Sequence, residues 1–281
     1  GILNEMVKPD IPILRSCLLS VMNALLLLLC VPLQWKNVPI TPVYKKLSRL
    51  SVLNYRPIGC SSNILKIYER LIDQRIRSVI FIIPEQAGFR AGFSPHTILT
   101  RLSILIGHAR YTKNPIYLIF LDYQEAFERA WRDGILYRLW EAGIRGRLWR
   151  ACRNLLQDTF YYIRTNFGNT SSFKTYMGVV QGSVLAALFF TLLITPLSDA
   201  LRPFSPIIRG LTIAPQFFAD DSTLAHTSEP ARTALLTLTL EWSAKWLSTV
   251  KPSKTFGLSS SDDPLPGNTI INGVIFKEVS A

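Results

Sequence analysis

Cysteine, histidine and methionine are scarce in this chain of 281 residues, which contains four, three and three of them, respectively. The cysteines are Cys17, Cys30, Cys60 and Cys152, and no Cys-x-x-Cys pair or mixed Cys/His cluster occurs. This spacing argues against a structural zinc site and against a disulfide framework. Because scattered free thiols are typical of reducing compartments, we expect an intracellular protein of the nucleus, the cytoplasm or both.

Acidic residues are also few. The chain has 19 Asp and Glu against 31 Lys and Arg, a formal charge of +12. The first 150 residues contain 21 basic and ten acidic residues, and so carry almost the whole excess. Such a one-sided balance indicates a polyanionic partner, of which nucleic acid is the commonest. A basic protein without such a partner is the alternative.

Uncharged stretches long enough to span a membrane are uncommon. No residue between Arg15 and Lys36 is charged, and a run of leucines lies within this stretch. A transmembrane helix needs about 20 apolar residues, which this stretch barely supplies. It also contains polar residues and Pro32. We therefore predict a buried helix that ends at Pro32, with a membrane span as the less favoured reading, and we expect no membrane partner.

Apolar periodicity predicts a mixture of helices and strands. The helices are expected over residues 61–80, 97–111, 133–157, 182–201 and 228–246. A buried strand is expected over 115–123, a hairpin over 159–177 with its turn at Gly168-Asn169, and a tight hairpin over 217–225. Hydrophobic residues make up 48% of the chain, enough for a substantial core. The pattern indicates an α+β fold with an antiparallel sheet covered on one face by helices.

Three carboxylates lie at the ends of apolar segments. Asp122 is near the end of one predicted strand, and Asp220-Asp221 interrupts the 217–225 hairpin. A buried carboxylate is costly unless a cation or hydrogen bonds compensate it. Neighbouring strands could bring these acids to one sheet edge, where oxygen ligands suit Mg²⁺ and phosphoryl transfer. Alternatively, Asp-Asp is common in turns and a strand-end Asp often caps a loop.

A series of motifs then resembles the reverse transcriptase domain of non-LTR (LINE-type) retrotransposons. The motifs follow the order of that family over nearly the whole chain. They are NYRPI (54–58), ILKIYERLI (64–72), PEQAGFRAGFS (84–94), FLDYQEAFERAW (120–131), GVVQGSVLAALFF (178–190), FADD (218–221) and PSKT (252–255). Each motif alone is a weak signal, whereas their serial order is a strong one.

The resemblance implies the fingers and palm of a right-hand polymerase, with an antiparallel, ferredoxin-like palm sheet. An N-terminal extension and the fingers would occupy residues 1–114 and the palm residues 115–281, with part of the fingers inserted between 130 and 175. The chain is expected to lack a thumb.

The resemblance also implies an active site. Asp122, Asp220 and Asp221 match the carboxylates that hold two Mg²⁺ ions, for which Mn²⁺ could substitute. The remaining matches concern substrate binding and proton transfer. The backbone carbonyl of Tyr123 would assist the metal site, and Lys254 would donate a proton to pyrophosphate. Phe127 would be the steric gate against a ribose 2′-OH, and Arg90 would contact the triphosphate. Gln181 and Gly182 would form the turn beside the nucleotide.

The implied function is RNA-directed DNA polymerase, with an RNA template, a DNA primer and dNTPs as partners. Departures from the family pattern, including Val180 where Pro is usual and Ala186-Ala187 where Ser-Pro is usual, leave an alternative. That alternative is a catalytically inactive reverse-transcriptase-like domain that only binds RNA. A third reading is an RNA-directed RNA polymerase, against which the bulky Phe127 argues. The sequence does not indicate an oligomeric state.

Overall fold

The computed structural model describes residues 11–208, 211–260, 268–271 and 274–279. The chain forms two compact units. The first combines the described residues up to Phe81 with Ala130–Phe189, and the second combines Ile82–Arg129 with the described residues from Phe190 onward. The units therefore alternate along the chain. The division into fingers and palm at residue 114 stays a prediction.

Helices and strands occur in both units. The helices are α1 (Pro12–Leu28), α2 (Leu33–Lys36), α3 (Asn63–Arg77), α4 (Pro95–Thr112), α5 (Arg132–Glu141), α6 (Gly146–Leu156), α7 (Val184–Leu201) and α8 (Glu229–Lys245). The strands are β1 (Asn37–Tyr44), β2 (Tyr55–Gly59), β3 (Tyr117–Leu121), β4 (Thr159–Thr165), β5 (Gly168–Asn169), β6 (Phe173–Thr175), β7 (Ile207–Ile208), β8 (Leu211–Thr212), β9 (Gln216–Phe218), β10 (Asp221–His226), β11 (Phe256–Ser259), β12 (Thr269–Ile271) and β13 (Val274–Val279). Each predicted helix is confirmed, although the 133–157 segment is two helices, α5 and α6.

The sheet of the first unit has the order β2-β1-β4-β5, with β6 also paired to β4. The predicted hairpin over 159–177 is present, but its predicted turn at Gly168-Asn169 is wrong. Gly168 and Asn169 pair with Thr165 and Arg164, so the chain reverses at 166–167. The physical reason is the Thr165 hydroxyl, which donates to the carbonyl of Gly168 at 2.8 Å and accepts from the backbone N–H of Phe167 at 3.2 Å.

Helix α1 packs through one stripe of its surface. Met22, Leu25 and Leu26 are buried, whereas Leu19 and Leu28 are exposed. The prediction that the helix ends at Pro32 is wrong, because Leu29 adopts the left-handed region (φ 52°) and terminates α1 at Leu28. The helix is therefore only partly buried, and its exposed surface includes apolar side chains.

The sheet of the second unit has the order β12-β13-β11-β3-β10-β9. Its centre is antiparallel, as predicted: β3 lies between β10 and β11 and runs antiparallel to both. Strands β11 and β13 are parallel. Apolar side chains of α4, such as Ile98 and Leu102, pack against Leu118 of β3 and Ala225 of β10. Helix α8 packs on β3 and β10 as well. The α+β fold is confirmed.

The apolar helix α7 continues as a short 3-10 turn to Phe204. Among the described residues, Val184–Phe204 is the one helical segment long and apolar enough to cross a membrane, with a mean hydropathy of 2.0. About 67% of the most apolar stretch of this segment is buried inside the protein. Core helices of globular proteins share this composition, so the segment is accounted for as core.

Candidate active site

Two neighbouring strands place the three predicted carboxylates. Strand β3 ends at Leu121, so Asp122 is the next residue. Strands β9 and β10 form a hairpin in which Phe218 pairs with Asp221, which leaves Ala219 and Asp220 as a two-residue turn. Leu121 pairs with Ser222 in the antiparallel β3–β10 register. The expectation that Asp122 and the Asp220-Asp221 pair lie on adjacent strands is confirmed.

The electrostatics of these acids reflect their proximity. Protein atoms displace part of the water around the Asp221 carboxylate, and this loss of solvation raises the pKa of Asp221. The residue as a whole is nevertheless exposed. The negative charges of Asp220 and Asp122 raise the pKa of Asp221 further, and Lys254 opposes the shift. The Nζ atom of Lys254 lies 2.9 Å from Oδ2 of Asp122 in an ion pair. The site is thus a cluster of like charges with Lys254 as a basic neighbour.

The donor chemistry of this cluster fits a hard divalent cation. Carboxylate oxygens are the ligands that Mg²⁺ prefers, and a cation would relieve the repulsion that raises the pKa of Asp221. However, in the described part of the chain, no group of three or more His, Cys, Asp or Glu side chains is arranged so that it could hold a metal ion. Lys254 already neutralises part of the Asp122 charge. The metal-binding roles of the three acids stay predictions.

The aromatic residues that follow Asp122 differ in their surroundings. Tyr123 is only 5% exposed, its ring lies 6.3 Å from that of Trp242, and burial raises the pKa of its hydroxyl. Its side chain therefore belongs to the core, and only its backbone is available for the predicted role. Phe127 is half-buried between two rings: Phe190 is stacked on it at 5.0 Å, and Phe89 meets it edge-on at 6.0 Å. This fixes the ring, whereas its role as a steric gate stays a prediction.

Arg90 is held by its own loop. Its Nη1 donates to the carbonyl of Ile83 at 3.3 Å, and its guanidinium lies 4.4 Å from the ring centroid of Phe93. Arg90, Phe127, Lys254 and the acids all belong to the second unit. Contact between Arg90 and a triphosphate stays a prediction.

Gln181 and Gly182 lie in the first unit, where they form a tight loop against β2. The N–H of Gly59 donates to the carbonyl of Gln181 at 2.7 Å. Gly182 has a φ of +111°, and a Cβ added there would lie 2.5 Å from the carbonyl oxygen of Gly59. Glycine is therefore required for a close approach of two backbone segments within the protein. The predicted contact of this loop with a nucleotide stays a prediction.

Our sequence reasoning missed Glu69. This residue is 5% exposed, and its carboxylate accepts hydrogen bonds from the Ser183 hydroxyl and the Val184 N–H, each at 2.8 Å. Burial raises the pKa of Glu69, although both hydrogen bonds oppose the shift. Glu69 thus holds the start of α7 directly after the Gln181-Gly182 loop. A signal was available, since Glu69 lies between Tyr68 and Ile72 on an otherwise apolar helical face.

A second missed residue is Gln86, whose buried side-chain amide binds the backbone of Ala219. The PEQAGFR motif drew attention to Arg90 but not to Gln86. An uncharged polar residue in a loop has no sequence signal for burial.

The basic residues around α6 form an exposed surface. Arg147, Arg150 and Arg153 are exposed on the helix, and Arg145 precedes it. The guanidinium of Arg145 lies 3.8 Å from the ring centroid of Trp140. Interleaved Arg and aromatic side chains are typical of surfaces that contact nucleic acid. We predict that this surface contacts the polyanionic partner that the charge balance indicates.

Solved structures of telomerase share this fold. Telomerase of Candida tropicalis in complex with a TWJ fragment of telomeric RNA matches 88% of this chain and 45% of its own length, with a TM-score of 0.62 and 12% identity. The apo enzyme truncated from its C-terminal domain matches 87% of this chain and 54% of its own length, with a TM-score of 0.57 and 13% identity. The chain therefore has the right-hand polymerase fold.

The family model for reverse transcriptase (RNA-dependent DNA polymerase) matches residues 44–265, and the chain belongs to this family. Its relatives include proteins of Drosophila melanogaster transposons. The chain is 32% identical over 248 residues to a probable RNA-directed DNA polymerase from transposon BS, which covers 83% of this chain and 27% of the relative. It is 33% identical over 178 residues to the corresponding protein of transposon X-element, which covers 61% and 19%. The resemblance to non-LTR retrotransposons is confirmed, and the chain spans about a fifth to a quarter of the length of these relatives.

Proposed function

We propose that this chain is the catalytic domain of an RNA-directed DNA polymerase that extends a DNA primer on an RNA template. The observation that carries the proposal is the cluster of Asp122, Asp220 and Asp221, in which the pKa of Asp221 is raised by the neighbouring carboxylates as well as by burial. It lies on a polymerase fold, in a chain of the reverse transcriptase family. Reverse transcriptases generally use divalent metal ions.

The three carboxylates would hold Mg²⁺, in the form of two ions, with Mn²⁺ as a substitute. Bound ions would supply positive charge for the α-phosphate of a dNTP and for the primer 3′-OH. Lys254, ion-paired with Asp122, would carry a proton toward the leaving pyrophosphate. The backbone carbonyl of Tyr123 would complete the oxygen donors.

The other side chains would bind the nucleotide. The Arg90 guanidinium would donate hydrogen bonds to triphosphate oxygens while it stays stacked on the ring of Phe93. A guanidinium can stack and donate at the same time. Phe127, fixed by Phe190, would crowd a 2′-OH. Gln181 and Gly182 would present backbone to the base pair. The free cysteines support an intracellular location, in the nucleus, the cytoplasm or both.

The second candidate is an inactive reverse-transcriptase-like domain that binds RNA only. It is favoured by the ion pair between Lys254 and Asp122, and by the lack of a ready group of three metal ligands among the described residues. Its RNA contact would use the exposed arginines around α6. Both candidates bind RNA, so activity has to separate them.

Primer extension tests the proposal. A labelled DNA primer on an RNA template is extended with dNTPs and Mg²⁺ by the wild-type protein and by the Asp220→Asn variant. We expect extension by the wild type and a loss of about 100-fold or more in the variant, because a charge-stabilising group is removed. Asp199→Asn is the matched control, since Asp199 is exposed on α7. A wild type that binds the duplex but extends nothing would favour the inactive domain.

A further inference from the structure

The turn that presents Asp220 and Asp221 has an unfavourable backbone conformation. Ala219, the first of its two residues, has a φ of +59°. Two-residue hairpin turns that place a positive φ at this position prefer glycine, because a Cβ in the left-handed region meets the following carbonyl. Alanine therefore needs support from elsewhere to remain in this conformation.

Gln86 supplies that support. Its side chain is fully buried, at 0% exposure. Its Oε1 accepts from the N–H of Ala219 at 3.0 Å, and its Nε2 donates to the carbonyl of Ala219 at 3.2 Å. Both backbone polar groups of the strained residue are thus bound by one amide. The same Oε1 accepts from the N–H of Gly88 at 2.7 Å, which fixes the amide itself.

The segment that carries Gln86 is built around this turn. It adds to the edge of β9, since the N–H of Phe217 donates to the carbonyl of Glu85 and the N–H of Ala87 donates to the carbonyl of Phe217, each at 2.9 Å. A Cβ on Gly88 would lie 2.1 Å from the backbone nitrogen of Ala219, so the two segments are in direct contact. The distance between Gln86 and the turn is therefore set by backbone pairing.

We propose that Gln86 is a positioning residue that holds the Ala219 turn and thereby orients the carboxylates of Asp220 and Asp221. This inference rests on the proposed function, in which those carboxylates bind metal ions. An amide suits the task because it binds a donor and an acceptor without adding charge beside acids that already repel one another. An apolar side chain would leave the backbone groups of Ala219 unpaired, and a carboxylate would add to the repulsion.

The Gln86→Met variant tests the proposal, because methionine has a similar length and makes no such hydrogen bonds. The matched control is Thr239→Val, which removes a buried hydrogen bond from the Thr239 hydroxyl to the carbonyl of Leu235 at 2.8 Å in the same unit. Amide hydrogen exchange at Ala219 is measured without metal. Melting temperature as a function of Mg²⁺ reports cation binding without any reaction. Primer extension gives kcat, KM for dNTP and the half-saturating Mg²⁺ concentration.

In Gln86→Met we expect exchange at the Ala219 amide to accelerate about 10-fold or more. The Mg²⁺ concentration that gives half of the melting-temperature shift should rise at least severalfold. Extension should lose kcat and require more Mg²⁺, with little change in KM for dNTP. Thr239→Val should leave the Ala219 exchange rate, the Mg²⁺ midpoint and the extension parameters unchanged. A purely structural role would lower melting temperature in both variants and leave the Mg²⁺ dependence unchanged.

Unchanged exchange at Ala219, or an unchanged Mg²⁺ midpoint in the folded Gln86→Met protein, would overturn the proposal. If Gln86→Met does not fold, Gln86→Asn provides the same test, because its shorter amide cannot reach both backbone groups of Ala219. If the wild type extends no primer, the proposed function fails. The exchange and melting measurements still decide whether Gln86 positions the acids.

Discussion

Replacing Gly182 with alanine would impose two separate costs on the loop before α7. The first is backbone strain, because Gly182 has a φ of +111°. The second is steric, because the new Cβ would lie 2.5 Å from the carbonyl oxygen of Gly59, where ordinary contacts begin at 3.4 Å. Gly168 offers a matched control, since its φ is +117° and an added Cβ meets nothing within 4 Å. Gly168→Ala therefore imposes only the first cost.

The structure sets the size of each cost. A non-glycine residue in a sparsely populated backbone region costs about 1–3 kcal/mol, and both variants share this term. In Gly182→Ala, strand β2 must also move by roughly 1 Å to relieve the overlap, and overpacking of this kind costs about 1–3 kcal/mol. The movement weakens the hydrogen bond from Gly59 to Gln181, which contributes about 1 kcal/mol. Gly182→Ala should therefore be about 2–4 kcal/mol less stable than Gly168→Ala.

Urea unfolding followed by circular dichroism measures this difference. With a slope of about 2–3 kcal/mol per molar urea, the midpoint of Gly182→Ala should lie about 1 M below that of Gly168→Ala. Primer extension should fall in Gly182→Ala and be retained in Gly168→Ala. Equal midpoints for the two variants would refute the argument, because the contact with Gly59 would then carry no energy.

Other predictions concern charge, sugar choice and nucleic-acid binding. Asp221→Asn should raise the melting temperature near neutral pH without divalent cations. The pKa of Asp221 is raised in the folded protein, so its contribution to stability falls as pH rises from the ordinary pKa through the raised one, and the substitution removes this loss. Thermal melts across pH test this, and a lower melting temperature for the variant than for the wild type at pH 7 would contradict it. Phe127→Val should lower the dNTP:rNTP ratio of kcat/KM about 10-fold, which corresponds to about 1.4 kcal/mol; an active variant with an unchanged ratio would make Phe127 only a core aromatic. Replacing both Arg150 and Arg153 with Gln should reduce the slope of log affinity for RNA–DNA duplex against log salt by about 1.4–1.8 in fluorescence anisotropy titrations, and an unchanged slope would place both outside the interface.

Local patterns in the sequence determined much of the fold and the identity of the candidate acids. The apolar run before Asp122 and the polar pair after Phe217-Phe218 predict a strand end and a hairpin, and both are present. These signals are local, because burial of one strand face or one helix stripe is written into neighbouring residues. The series of motifs pointed to reverse transcriptases in the same way, and the family is confirmed.

Tertiary structure alone decided which distant groups bind the Ala219 turn and which bind the start of α7. Gln86 lies 133 positions from Ala219, and Glu69 lies 114 positions from Ser183. No periodicity in the sequence specifies either pairing, since each depends on where separate backbone segments come together. The pairing of Lys254 with Asp122 is of the same kind. The turn at 166–167 was missed for a related reason: the Thr165 hydroxyl closes it, and this hydrogen bond outweighs the turn preference of Gly168-Asn169.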